Sequence, residues 1–378
     1  MLPVEAPTGD YYCGHRLGNN LFSQSLVCLD IKTGKRIWHY QTIHHDIWDF
    51  DPPTAPILVD IKVNGKPIKA VAQITKQGFT FVFDRVTGEP VWPIVERPVA
   101  QTDVPGERTS PTQPFPTRPA PFDLQGLTVD DLIDFTPELR AEAMKIVSQY
   151  RIGPLYTPPS RAESADGTKG TITVPGGDGG ANWDSGAVDP ETGILYVTSA
   201  TGIAIRAMAP SPNSDMNFVN SVQEGQPNLK GPQGLPLTKP PWGRITAIDL
   251  NTGDHLWMVP NGDTPDEVKN HPALKGINLP KTGKQIRGGT LVTKTLLFVG
   301  ASRLQSGEPI LQAFDKRTGE RIAAIELPAP TSGVPMTYQL NGKQYIIVAV
   351  GAPDHPGELV ALTLPSSAPS TARAGRGD

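Results

Sequence analysis

A five-residue pattern, Asp-x-x-Thr-Gly, occurs five times in this 378-residue chain, and three copies carry a tryptophan four residues after the glycine. These are Leu26–Trp38 around Asp30 and Gly34, Phe81–Trp92 around Asp84 and Gly88, and Ile245–Trp257 around Asp249 and Gly253. Two weaker copies, Asp189–Gly193 and Asp315–Gly319, have Val197 and Ala323 in the tryptophan position. Apolar alternation ahead of the aspartate makes a strand with one face in a core. Asp and Thr side chains bond nearby backbone amides and Gly takes a left-handed conformation, so the pattern closes a tight turn into a returning strand. The tryptophan on that strand has a broad ring to set against a neighbouring unit. Copies at intervals of roughly 50–60 residues, or about twice that across an insertion, are how a propeller of four-stranded blades reads in sequence. Asn64-Gly65 and Asn341-Gly342, each flanked by strand-like residues, mark two further hairpins. The predicted fold class is all-β, a β-propeller of four-stranded blades.

One stretch breaks the rhythm. From about Ile94 to Pro159 the chain is Pro-rich, then acidic, then helical, and reads as one insertion between blades. Thr128-Val-Asp-Asp131 resembles a capping box, and Thr136-Pro137-Glu138 caps a helix with Leu139, Ala143, Ile146, Val147 and Tyr150 on one face. The propeller portion is expected over residues 1–364. The small, polar segment 365–378 lacks core-forming residues and is expected to be a disordered tail.

Composition narrows function by exclusion. With 34 Lys and Arg against 38 Asp and Glu, the net charge of −4 argues against a nucleic-acid binder. No run approaches the length of a membrane-spanning helix, and no basic region followed by an apolar stretch marks a signal peptide at the N-terminus. Cys13 and Cys28 are expected to be unpaired, partly buried thiols.

Polar clusters suggest where chemistry sits. His44-His45-Asp46-Ile47-Trp48-Asp49-Phe50-Asp51 packs two histidines and three acids into eight positions. On spacing alone it reads as a polar loop with a buried tryptophan, and a metal site stays open as the alternative. Lys76 lies in a Gly-containing bend, Ile74–Phe79, inside an apolar strand pair. Gly179-Gly-Ala-Asn182-Trp183-Asp184 has glycines that allow close backbone approach to a ligand or a strand, and Arg287-Gly-Gly-Thr290 is a weaker parallel. Walker, nucleophile-elbow, zincin and Cys-x-x-Cys patterns are absent.

Taken together, Ser25–Trp38, His44–Asp51 and Ala72–Arg85 strongly resemble the quinoprotein dehydrogenases, the pyrroloquinoline quinone (PQQ)-dependent alcohol and sugar dehydrogenases. The membrane-associated glucose/quinate type is the nearest look. Arg108–Thr117, Gly180–Trp183 and Val334–Tyr345 look like the same family, so the likeness runs from about Leu2 to Pro365. The resemblance implies an eight-bladed propeller with PQQ and calcium near its axis. It implies Asp49 as the catalytic base, also on the calcium, and Lys76, 27 residues later, as the cation at the quinone carbonyls. Asn182 and Trp183 are the implied cofactor contacts, and Glu5 falls near the family's calcium-binding asparagine. A sugar, cyclic polyol or alcohol would lose hydride to PQQ, with electrons passing to ubiquinone or another acceptor in the periplasm. Members of the family are much longer, so the chain is expected to be the C-terminal part of the propeller, with the N-terminal blades coming from another chain. The alternatives are a non-catalytic PQQ-repeat scaffold and an inactive truncated fragment.

Overall fold

The computed structural model describes residues 1–7, 9–184, 186–222, 229–301 and 308–364. The expected tail, 365–378, lies outside them. Five antiparallel sheets follow one another along the chain as blades. The first contains Leu2–Val4, Ser25–Leu29 and Arg36–Gln41; the second contains Ile57–Val63, Lys66–Ile74 and Thr80–Asp84. The third contains Gly186–Asp189, Ile194–Ala200, Gly243–Asp249 and Asp254–Pro260. The fourth contains Thr290–Val292, Leu296–Gly300, Ile310–Asp315 and Arg321–Glu326, and the fifth Met336–Leu340, Lys343–Ala352 and His355–Leu362.

The expectation of four strands in every blade holds for the third and fourth blades among the described residues. In the second, the outer strand shrinks to the bridge between Phe83 and Pro90 and a bond from Val91 N to Val82 O. Proline has no N–H to donate to the ladder, so Pro90 stops the strand from growing.

Strand periodicity explains how the blades stack. In the second blade Val71, Phe81 and Phe83 face the first blade's Leu26, Cys28 and Trp38, while Ala70, Ala72, Ile74 and Val82 face the third blade's Leu195 and Val197. In the third blade Tyr196 turns the other way, toward Leu297 and Val299 of the fourth. Phe298 of the fourth then meets Val348 and Val350 of the fifth. The second, third and fourth blades pack against a neighbour on both faces because successive side chains point to opposite sides of a strand.

The repeated turns behave as their chemistry requires. Asp30 Oδ1 accepts from Lys32 N, Thr33 N and Thr33 Oγ1, and the five turn glycines have φ between 68° and 81°. The tryptophans do pack on the next unit. Trp38 Nε1 donates to Arg85 O at 3.2 Å, and Trp257 Nε1 donates to Lys316 O at 3.3 Å, each one residue past the aspartate of the following blade's turn. A Cβ at Gly88 would lie 2.7 Å from the Trp38 ring, and one at Gly319 would lie 2.8 Å from the Trp257 ring, so only glycine admits the indole. Trp38→Ala is expected to cost about 3–5 kcal/mol of unfolding free energy, read as a lower urea midpoint with little change in slope.

One copy of the pattern is placed differently. Asp189–Gly193 joins the first and second strands of the third blade, and Asp249–Gly253 joins the third and fourth strands of that same blade. Five copies therefore mark four blades. The turn chemistry specifies a hairpin, not which hairpin of a blade.

The stretch expected as an insertion, 94–159, holds a 3₁₀ turn at Val129–Asp131 and a helix at Pro137–Val147 capped by Thr136 Oγ1, which accepts from Leu139 N, and the chain re-enters a blade only at Gly186. Leu139, Ala143 and Val147 are buried with Trp242 and Leu237, and Ile146 and Tyr150 pack against them. A second excursion was not foreseen: residues 201–242 leave the third blade between its two central strands and add Ala204–Ala209, paired with Thr171–Thr173. Cys13 and Cys28 are free and buried.

Candidate active site

The His44–Asp51 run is rooted by its apolar members. Ile47, Trp48 and Phe50 are buried in the core between the first two blades, and Trp48 Nε1 donates to Thr157 O of the insertion. Asp46 organises the backbone: its carboxylate accepts from Trp48 N, Phe50 N and Gln24 Nε2, each at 2.9 Å. Burial pushes the Asp46 carboxyl up to about 7, against those backbone bonds. Asp49, between two buried aromatics, has φ 62°, a left-handed conformation that swings its side chain out of the core.

Asp49 and Asp51 converge on the Lys76 bend. Lys76 Nζ lies 3.0 Å from Asp49 Oδ1 and 2.9 Å from Asp51 Oδ2, and the lysine side chain is 8 % exposed. Asp51 Oδ1 also accepts from Ala6 N. Burial pushes the Asp49 carboxyl up to about 8, opposed by the Lys76 ammonium and assisted by the Asp51 charge. Burial alone would lower Lys76, but the two carboxylates outweigh it and hold the ammonium above its ordinary value.

The bend opens on a cleft of about 300 Å³ lined by Asp51 and Lys76 on one side, Asn182 and Trp183 on another, and Pro3 and Glu5 at the rim. Trp183 is 81 % exposed, leaving its ring free to stack on a ligand. Asn182 holds its own loop, donating to Asp178 O at 3.0 Å and accepting from Trp183 N at 2.9 Å. Gly180 N donates to Lys76 O at 2.8 Å, which joins the two walls.

Of the four residues singled out from sequence, Lys76, Asn182 and Trp183 line the cleft, and Asp49 joins them through its bond to Lys76 rather than by lining it. Asp51 was missed, and the signal was present: acids two positions apart in one run share a side when the residue between them turns inward. The histidines go elsewhere. His44 Nε2 meets Glu96 Oε1 at 3.0 Å, and His45 Nε2 meets Glu107 Oε1 at 2.8 Å. Glu107 also accepts from Cys13 N, and burial pushes the Cys13 thiol up to about 12, so it stays protonated. Among the described residues no group of three or more His, Cys, Asp or Glu side chains gathers as a metal site. Arg287 does not line the cleft; its guanidinium donates to Asp178 O at 2.6 Å and Gly179 O at 2.9 Å behind the Trp183 loop.

Comparison with known proteins gives the family. The family model for the PQQ glucose/ethanol/alcohol dehydrogenase β-propeller domain matches residues 1–346. Quinate/shikimate dehydrogenase (quinone) of Acinetobacter baylyi is 32% identical over 391 residues, covering 96% of this chain and 47% of its own length. Quinoprotein glucose dehydrogenase of Escherichia coli is 32% identical, covering 93% of this chain and 45% of its own. The chain spans about half the length of the curated relatives it matches. Among solved structures, the quinohemoprotein alcohol dehydrogenase of Comamonas testosteroni shares the fold with a TM-score of 0.59 at 21% identity, over 99% of this chain and 48% of that one. A blade series of this kind, matched along most of its length, makes the chain a member of the PQQ-dependent quinoprotein dehydrogenase family.

Proposed function

We propose that this chain carries one wall of the active centre of a PQQ- and calcium-dependent dehydrogenase that oxidises a hydroxyl of a sugar, cyclic polyol or alcohol. The observation that carries the reading is the Lys76 ammonium held between Asp49 and Asp51 beside a cleft edged by Trp183. The donor set suits a flat, anionic quinone: a buried cation for its oxygens, an exposed indole for its face and the Asn182 amide at the edge. When bound, PQQ supplies the acceptor for the hydride that leaves the substrate carbon. Asp49 takes the hydroxyl proton, and its raised affinity for protons suits a base working near neutral pH. Lys76 offsets negative charge gathering on an oxygen beside it.

The fit to calcium is partial. Asp49 and Asp51 are oxygen donors of the right kind; Asp51 and Glu5 line the cleft, and Asp49 reaches it only beside Lys76. Calcium takes about six to eight oxygens, so these residues do not complete a shell and no step is assigned to the metal. We place the remaining ligands, and the blades that bear them, on further polypeptide. Exposed Met336, Tyr338, Leu340 and Leu359 on the last sheet offer an apolar face for a neighbouring blade. Ubiquinone or another acceptor in the periplasm would take the electrons. A non-catalytic scaffold would have no use for two carboxylates and a lysine desolvated together, since burying them is costly.

The test is titration of the folded chain with PQQ and Ca²⁺, alone and together with the complementary half of a relative, following quinone absorbance and dye reduction with glucose, quinate and ethanol. Stoichiometric binding with turnover in either form is expected. Absence of PQQ binding in both forms by a folded chain would overturn the reading.

A further inference from the structure

Asp123 lies in the insertion, outside the proposed catalytic group, yet it touches both walls of the cleft. Its side chain is wholly buried. Oδ1 accepts from the Arg244 guanidinium, from Thr201 Oγ1 at 2.6 Å and from Leu124 N at 2.7 Å. The Lys76 bend packs on one side of it: Phe122 N donates to Gly78 O at 3.0 Å. The Asn182–Trp183 loop packs on the other: a Cβ at Gly180 would lie 3.1 Å from Asp123 Cβ and 3.5 Å from its carboxylate. Arg244 and Thr201 belong to the third blade and its excursion, so the carboxylate ties the insertion to the third blade, while the neighbouring Phe122 N ties it to the bend of the second.

A buried ion pair is poor value as pure stabilisation, because a well-packed apolar replacement is often as stable. What it provides is direction, since charge-assisted bonds fix where the partners sit. We propose that Asp123 is a positioning residue that sets the spacing between Lys76 and the Asn182–Trp183 edge. Its bearing on the cofactor rests on the functional reading above. Its effect on the two walls does not.

Two measurements separate these parts. Amide hydrogen exchange of the full chain without ligand, read by mass spectrometry, is expected to accelerate in Asp123→Asn by about tenfold or more in segments 75–80 and 178–183, with the fifth blade unchanged. PQQ affinity, followed by quinone absorbance, is expected to fall about tenfold, the loss expected for one charge-assisted bond. Thr201→Val, which leaves the ion pair in place, is expected to shift the same two segments by less and serves if Asp123→Asn does not fold. Unchanged exchange in both segments, or equal acceleration in every blade, would overturn the proposal. Segment-specific exchange in a chain whose wild type binds no PQQ, alone or with the complementary half, would uphold the positioning role and sink the functional reading.

Discussion

Asp49→Asn is expected to lower dehydrogenase turnover by about 10²- to 10⁴-fold while PQQ binding changes little. Asparagine is the informative replacement for two reasons. Position 49 has φ 62°, and asparagine is among the few residues at ease in that region. It also keeps an oxygen to accept from Lys76, so the wall keeps its shape while the base is removed. Asp49→Ala would confound loss of the base with backbone strain. The measurement is dye-linked turnover of the reconstituted protein beside a PQQ titration of the same preparation. Turnover equal to wild type would remove Asp49 from the role of base.

Lys76→Met is expected to abolish PQQ binding and to destabilise the chain by about 3–5 kcal/mol at neutral pH. Methionine fills the stem's space but leaves two partly buried carboxylates facing one another. The lower end applies, because the Asp49 and Asp51 side chains are 21% and 16% exposed and water screens part of the repulsion. The sign with pH follows from Asp49. Its folded-state proton affinity lies above the unfolded value, so it costs the fold stability as pH rises from the ordinary carboxylate range to about 8. Without the ammonium that opposes the shift, this cost grows. The variant should therefore lose least near about pH 5 and most above about pH 8, seen as a widening gap between wild-type and variant urea midpoints.

The same residues explain what could be read from the chain in advance. Strand and turn were legible because each is a local statement, alternation and a side-chain-bonded turn; the tryptophan was legible from its fixed offset, although the glycine it meets lies in the next blade's turn. Blade assignment was less so, and the Asp189 copy sits in the wrong hairpin for a blade marker for that reason. The helix at Pro137–Val147 announced itself through Thr136, Pro137 and one apolar face. Residues 201–242 carry no such period, and their pairing with Thr171–Thr173 is a long-range contact. At the site, the run 44–51 looked like one cluster. The backbone divides it: His45 and Asp49 both take positive φ, and His45 meets Glu107 while Asp49 meets Lys76. Asp123 gave no local signal at all; its role depends on two glycines distant in the chain.

The tryptophan contacts between blades all point one way. Trp38 reaches forward to the turn at Asp84, Trp92 to Gly253, and Trp257 to the turn at Asp315. The series has a polarity, like a row of tiles in which each overlaps the next. Damage to a turn is then felt by the blade before it, whose indole loses its seat, while the blade after it keeps its own anchorage. Ala323 stands where the fourth blade would carry its indole. The overlap stops there, and the fifth blade is held by side-chain packing and by the 330–332 segment, where Thr331 N donates to Ala301 O and Ser332 N to Ala349 O; without an indole seat on its neighbour, it is expected to be the first to part from the row under denaturant.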